Sequence, residues 1–180
     1  MKPKDIVFIL FILILMSFLT GCIETNTNSN DNNSSKDWGD APDFSLKTLK
    51  GNTIMLSNYL GDVILIDLMA VDCQFCVYMM PDLKQISQNY TDVVIISVDV
   101  YSYETEEYLQ SFIDAFKEQL GIVLDWNFGK DSDGNISQKY LGPMEGIPKL
   151  VLIDQNGNIY YEFMGYTQYS EIKNKLDEII

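Results

Sequence analysis

Cys73 and Cys76, two cysteines separated by two residues, form the pair in this chain best suited to chemistry. They follow an apolar run at residues 63–68, which predicts a buried strand, and they begin a stretch that fits a helix to about residue 88. At a helix N-terminus, free N–H groups and the helix dipole stabilise an anion, so the first thiol should ionise easily. We therefore predict that Cys73 is the nucleophile. Cys76, one helical turn away, is the expected thiol that resolves a mixed disulfide.

Two other uses of a cysteine pair fit the sequence less well. Tetrahedral zinc needs four ligands, whereas this chain offers Cys73, Cys76 and no histidine. A purely structural disulfide across so short a loop would remove little chain entropy. The lack of histidine also excludes Ser-His and Cys-His catalysis. We expect no metal and no bound organic cofactor.

Residues 1–21 have the pattern of an export signal, in which Lys2 and Lys4 precede an apolar run at residues 6–19. That run is too short to span a bilayer comfortably, because a spanning helix needs about 20 apolar residues. Leu19-Thr20-Gly21-Cys22 resembles the lipobox of secreted lipoproteins, whose cysteine is lipidated and becomes the new N-terminus. We predict that lipid on Cys22 anchors the domain to the extracytoplasmic face of the cell membrane. A retained signal anchor is the alternative.

The rest of the chain divides into a linker and one domain. Residues 22–37 are rich in Asn and Ser and almost free of apolar side chains, which predicts a flexible tether. Residues 38–180 alternate strand and helix signals, as in a layered α/β domain with a single core. The formal net charge of the chain is -14, and removal of the signal makes it more negative still. Nucleic acid and anionic lipid are therefore unsuitable partners.

Apolar periodicity predicts the remaining elements of the domain. A hairpin around Gly51 is expected near its start, and Asn156-Gly157 marks a second hairpin between strands at residues 149–153 and 159–163. Another buried strand is predicted at residues 93–98. Helices are predicted at residues 102–120, 136–140 and 170–180, the last with Ser170 as its N-cap.

Several motifs accompany the cysteine pair. They are Asp67 six residues before the first cysteine, Pro81 five residues after the second, Ala41-Pro42-Asp43-Phe44 at the domain start, and Gly146-Ile147-Pro148 before a strand. With these motifs, residues 41–180 resemble the thioredoxin-like lipoprotein and membrane-tethered thiol oxidoreductases of the TlpA and ResA type, in the AhpC/TSA and redoxin superfamily. The resemblance implies an α/β thioredoxin-like fold, with a central mixed sheet flanked by helices and an N-terminal hairpin extension.

The same resemblance assigns roles to individual residues. Asp67 would be the buried carboxylate that relays a proton for the resolving thiol, and Ile66 and Leu68 beside it favour burial. Ile147 and Pro148 would form a cis-proline loop that pairs with an extended substrate segment. The family usually has tryptophan before the first cysteine, where this chain has Asp72, so substrate preference is open. An apolar rim for partner docking is predicted from Phe75, Tyr78, Met79 and Met144.

We expect a monomeric dithiol-disulfide exchange enzyme that acts on exported proteins and receives electrons from a membrane protein. Asp72 and the negative net charge oppose a thiolate on Cys73, which favours a protein-disulfide reductase over a strong oxidant. Two alternatives share the fold. A peroxiredoxin-type peroxidase needs Thr-x-x-Cys and a nearby proline, where this chain has Ala70-Val71-Asp72-Cys73. A copper carrier needs cysteines spaced by three residues and a histidine.

Overall fold

The computed structural model describes residues 41–101, 103–143 and 145–180. The predicted signal and tether, with Cys22, lie outside these ranges, as do Ser102 and Met144. The described part begins with a hairpin of two antiparallel strands, β1 (Ser45–Lys47) and β2 (Thr53–Met55), followed by a 3-10 turn at Leu56–Tyr59. Leu46 and Ile54 pair across the hairpin and are both buried, so its inner face joins the core. The predicted N-terminal hairpin is confirmed.

A mixed sheet of five strands forms the centre of the described residues, in the order β5-β4-β3-β6-β7. The strands are β3 (Val63–Met69), β4 (Val93–Asp99), β5 (Asn127–Lys130), β6 (Lys149–Ile153) and β7 (Ile159–Met164). β3 is parallel to β4 and antiparallel to β6, so the strand that leads to the cysteine pair is central. β5 was not predicted, because its four residues contain one large apolar side chain, Phe128, and show no alternation.

All seven residues of β3 are buried, because both faces of the sheet are covered. Ile64, Ile66 and Leu68 pack in the cluster that contains the hairpin. Val63, Leu65 and Met69 pack in the other cluster, which also contains Cys76. Since successive side chains of a strand point to opposite faces, Asp67 lies on the same face as Cys76.

Four helices of the described chain flank the sheet: α1 (Gln74–Asn89), α2 (Glu106–Leu120), α3 (Asn135–Tyr140) and α4 (Tyr169–Leu176). Buried residues of α1, α2 and α4 lie in the cluster with Cys76, and those of α3 lie with the hairpin. Within the described ranges, none of the helices has both the length and the hydrophobicity that crossing a membrane requires.

Three predicted helix boundaries were wrong, and the caps explain two of them. α2 begins at Glu106 and not at Ser102, because the Thr105 side chain accepts a hydrogen bond from the Tyr108 N–H and acts as N-cap. α4 is capped by Gln168 and not by Ser170, in a capping box with Glu171. α4 also ends at Leu176, before the predicted end of the helix at Ile180.

Candidate active site

Cys73 and Cys76 are joined by a disulfide at the start of α1, with their Cα atoms 5.2 Å apart. Cys73 is the N-cap of the helix, and its Sγ accepts a hydrogen bond from the Cys76 N–H at 3.2 Å. A thiolate on Cys73 would meet the same N–H group and the positive end of the helix dipole. Cys73 is half-buried, whereas Cys76 is fully buried. A sulfur of another molecule can therefore reach Cys73 and not Cys76.

Asp67 is fully buried in the middle of β3, which confirms the predicted burial. Its Oδ2 accepts a hydrogen bond from the Ser97 hydroxyl at 2.7 Å, and the Trp126 indole N–H donates to the same hydroxyl at 2.9 Å. Its Oδ1 has no hydrogen-bond partner among the described residues. Burial raises the pKa of Asp67 to about 7, against the opposing effect of the Ser97 hydrogen bond. This carboxyl can thus take up and release a proton near neutral pH.

Sequence reasoning missed both partners of Asp67. Ser97 was detectable, because it is the one polar residue within the apolar run at residues 93–98. Its position opposite Asp67 follows from the parallel register of β3 and β4. Trp126 gave no signal, because its contact with Ser97 joins segments far apart in the sequence.

The Ile147-Pro148 peptide bond is cis. Pro148 is buried, and its carbonyl accepts a hydrogen bond from the Gly165 N–H at 2.8 Å. The next residue, Lys149, pairs with Leu68 near the C-terminal end of β3. The loop therefore lies at the end of the sheet where the chain leaves β3 and leads to Cys73. Ile147 and Cys73 also pack against the same buried cluster. The structure therefore brings the loop and the cysteine pair together, while the role of the loop in substrate binding stays a prediction.

A buried cation holds the end of this loop. The Lys149 Nζ lies 2.8 Å from both Glu145 and Glu162, and it donates a hydrogen bond to the Tyr140 carbonyl at 2.7 Å. An ammonium group with several partners at this depth is costly to displace, because breaking one contact leaves a buried charge without its partner. These contacts hold the end of the loop against β7 and against the residues that precede the loop.

A second buried carboxylate supports the segment before Cys73. Glu104 accepts hydrogen bonds from the Val71 and Asp72 N–H groups, at 3.1 and 3.2 Å, and is almost fully buried. Burial and the neighbouring Glu104 carboxyl raise the pKa of Asp99 to about 7. The Oδ2 of Asp99 has no hydrogen-bond partner among the described residues. Neither Asp99 nor Glu104 was anticipated, since no sequence motif relates them to the cysteine pair.

Two of the four residues of the predicted apolar rim are exposed, and their role in partner docking stays a prediction. Phe75 and Tyr78 are 59% and 56% exposed at the start of α1, where an incoming polypeptide can contact them. The prediction for Met79 was wrong, because this side chain points from α1 into the core and is fully buried. Asp72 is exposed, and its Oδ1 accepts a hydrogen bond from the Tyr108 hydroxyl at 2.8 Å. Met144 lies outside the described residues.

Comparison with known proteins identifies one matching family and several similar proteins. The AhpC/TSA family matches residues 39–162. Thioredoxin-like protein YneN of Bacillus subtilis is 27% identical over 168 residues, which cover 92% of this chain and 94% of YneN. Thiol-disulfide oxidoreductase ResA of Geobacillus kaustophilus is 28% identical over 141 residues, which cover 77% of this chain and 75% of ResA.

Two solved structures show the same fold. A secreted disulfide oxidoreductase of Mycobacterium tuberculosis has a TM-score of 0.64 at 18% identity, covering 76% of this chain and 96% of that one. The exposed lipoprotein thioredoxin Etrx1 of Streptococcus pneumoniae has a TM-score of 0.62 at 24% identity, covering 77% and 100%. With its disulfide at a helix N-terminus and these relatives, this chain is a thiol-disulfide oxidoreductase of thioredoxin-like fold that belongs to the AhpC/TSA family.

Proposed function

We propose that this protein reduces disulfides of exported proteins at a membrane surface, with Cys73 as the attacking thiol and Cys76 as the resolving thiol. The observation that carries the proposal is the difference in access between the two sulfurs. Cys73 is half-buried at the helix N-terminus, whereas Cys76 is fully buried one turn further along. Cys73 can therefore attack a disulfide of another molecule, and Cys76 can resolve the mixed disulfide from within the protein.

The first step forms a mixed disulfide. The Cys73 thiolate attacks one sulfur of the substrate disulfide, and a bond between Cys73 Sγ and that sulfur replaces the substrate S–S bond. The other substrate sulfur leaves with the electron pair and takes a proton from water. The substrate segment is proposed to lie along Ile147 and Pro148 and to contact Asp72 and Phe75.

The second step releases the substrate. Asp67 is proposed to accept the proton of the Cys76 thiol, which suits a buried carboxyl with a pKa of about 7. The Cys76 thiolate then attacks Cys73 Sγ, and the remaining substrate sulfur leaves as a thiolate. Two electrons have passed to the substrate, and the enzyme is left with the Cys73–Cys76 disulfide that this structure contains. A membrane-bound donor protein is proposed to return two electrons and restore the dithiol.

Single cysteine variants test these roles. Cys73→Ser should abolish reduction of insulin disulfides, whereas Cys76→Ser should accumulate a stalled mixed disulfide through Cys73, because nothing resolves it. Insulin turbidity and non-reducing mass measurement give the two readouts, with peroxide consumption as a control for peroxidase activity. If alkylation of the reduced protein at neutral pH labels Cys76 before Cys73, the assignment is reversed.

Asp67→Asn tests the proposed proton acceptor, because an amide cannot take a proton from Cys76. We expect release of a trapped mixed disulfide to slow at least about ten-fold. The wild-type release rate should rise with pH through about 7, the pKa that burial gives Asp67, and the variant should lack this rise. Rapid acid quenching and mass measurement report the release rate. Equal pH profiles for wild type and variant would refute the role.

Unfolding experiments provide a second readout for Asp67. Its folded pKa of about 7 lies above the ordinary 3.8, so the folded protein binds this proton more tightly than the unfolded chain does. The associated stability is therefore present at low pH and is lost as pH rises from about 4 to 7. Above pH 7, Asp67→Asn should be more stable than wild type, by roughly 1 to 4 kcal/mol. Asp114→Asn, the same change at an exposed position of α2, is the matched control.

The direction of electron flow can be measured as a reduction potential. The exposed Asp72 carboxylate beside Cys73, with the net charge of -14, opposes a thiolate and so destabilises the reduced form. We expect a potential of about -200 to -270 mV, toward the reducing end of the range for this fold. Asp72→Trp should raise it. Equilibration with glutathione followed by alkylation measures the potential, and a wild-type value above about -150 mV would contradict the proposed reductase.

The membrane location is proposed from the sequence at residues 19–22, Leu-Thr-Gly-Cys. Intact mass measurement of the protein from membranes should show that the chain begins at a lipid-modified Cys22. A Cys22→Ser variant should lose the added lipid mass. Detection of residues 1–21 on the isolated protein would exclude this anchor.

A further inference from the structure

Three exposed tyrosines gather around the carboxylate that precedes the attacking cysteine. The Tyr108 hydroxyl donates to Asp72 Oδ1 at 2.8 Å, and the Tyr101 and Tyr103 rings lie against each other with centroids 5.2 Å apart. Tyr103 and Tyr108 are 66% and 45% exposed. Tyr103 directly precedes Glu104, whose carboxyl accepts a hydrogen bond from the Asp72 N–H, so Tyr103 lies near this carboxylate. Desolvation and the charge of Asp72 raise the pKa of Tyr103. We call Asp72, Tyr101, Tyr103 and Tyr108 the acidic tyrosine surface.

Asp72 places this surface directly beside the cysteine to which a substrate would be joined. Asp72 is bonded directly to Cys73, the half-buried member of the pair. In a disulfide, the two Cα atoms lie about 4.4 to 6.8 Å apart. A polypeptide attached to Cys73 therefore brings the neighbours of its own cysteine close to Asp72, which the Tyr108 hydroxyl contacts.

Among the described residues, no cation forms an ion pair with the Asp72 carboxylate of the acidic tyrosine surface. Lys130, which lies beside the surface, donates instead to the Tyr101 carbonyl. The buried carboxyl groups of Glu104 and Asp99 lie behind the surface and accept hydrogen bonds from the N–H groups of Asp72 and Tyr101.

An exposed carboxylate next to tyrosine faces is suited to one kind of side chain. A carboxylate pairs with an ammonium or guanidinium group, and the face of an aromatic ring attracts the same cations. An apolar segment docked here would desolvate Asp72 without compensation, and an acidic one would be repelled. The complementary side chains are Lys and Arg.

We propose that the acidic tyrosine surface selects substrate disulfides whose reacting cysteine is flanked by Lys or Arg. The occupant is a cationic side chain within about two residues of that cysteine. This inference rests on the proposed reduction of polypeptide disulfides and names the class of polypeptide that is reduced fastest. Asp72 acts as a specificity residue directly before the attacking cysteine.

The test compares three peptides that each contain one disulfide and differ only in flanking residues, which are Lys, Ser or Glu. The reduced full-length protein is mixed with each peptide, and the second-order rate constant is measured by acid quenching and mass measurement. We expect the Lys peptide to react about five-fold faster than the Ser peptide and the Glu peptide to react more slowly. The Lys-to-Ser ratio should approach one at about 1 M salt, where the Debye length is roughly 3 Å.

Matched variants separate this surface from overall charge. Asp72→Asn keeps an acceptor for the Tyr108 hydroxyl but removes the charge, so the Lys-to-Ser ratio should fall close to one. Tyr103→Leu should lower the ratio partially by removing a ring face. Asp92→Asn makes the same charge change just before β4, at the opposite end of that strand from Asp99, and should leave the ratio unchanged. Because a ratio is compared, a general change in Cys73 reactivity cancels.

The outcomes distinguish this inference from the function on which it rests. If wild type reduces all three peptides at the same rate, or if Asp92→Asn lowers the ratio as much as Asp72→Asn, the selectivity is overturned and the reductase stands. If wild type reduces none of the peptides, the proposed function fails and the selectivity fails with it.

Discussion

The hydrogen bonding of β3 to a neighbour on each side is the constraint on which the site depends. Its pairing with β4 places Ser97 opposite Asp67, and its pairing with β6 brings Pro148 to the end from which the segment leading to Cys73 emerges. Because side chains alternate across a strand, the same register that buries Ile66 and Leu68 on one face puts Asp67 on the face of α1. A slip of one residue would turn the carboxyl away from the cysteines. The large apolar clusters on both faces oppose such a slip.

Several acidic groups lie near the cysteine pair, and not all of them can be ionised together at low cost. The helix N-terminus favours a thiolate on Cys73, while Asp67, Asp99 and Glu104 are carboxyl groups buried nearby in the same part of the molecule. Burial raises the pKa of Asp67 and of Asp99 to about 7, so these groups carry only part of a full negative charge at neutral pH. The site therefore avoids collecting several negative charges in a region that water does not reach. It also keeps acids that can exchange protons at the pH at which thiols react.

Sequence patterns predicted the elements whose formation depends mainly on residues close together in the chain. Strands β3, β4 and β6 were found within one residue of their ends, because a long apolar run in an α/β domain is typical of a strand buried on both faces. Strand β5 and the N-cap of α4 were missed, since the first has little apolar content and the second depends on the Gln168 side chain. Asp67 and the cysteines could be found from motifs. Glu104 could not, because its role arises when a residue far along the chain folds back onto the backbone at Val71 and Asp72.

Glu104 binds main-chain N–H groups and not side chains, and this has a consequence for redesign of the site. Every amino acid except proline supplies an N–H group, so this support does not depend on which side chains occupy positions 71 and 72. The segment can therefore keep its shape when its outward side chains are replaced, and the nucleophile beside it stays in place. The chemistry of the surface next to Cys73 can thus be altered by a single substitution without rebuilding the backbone that positions the cysteine.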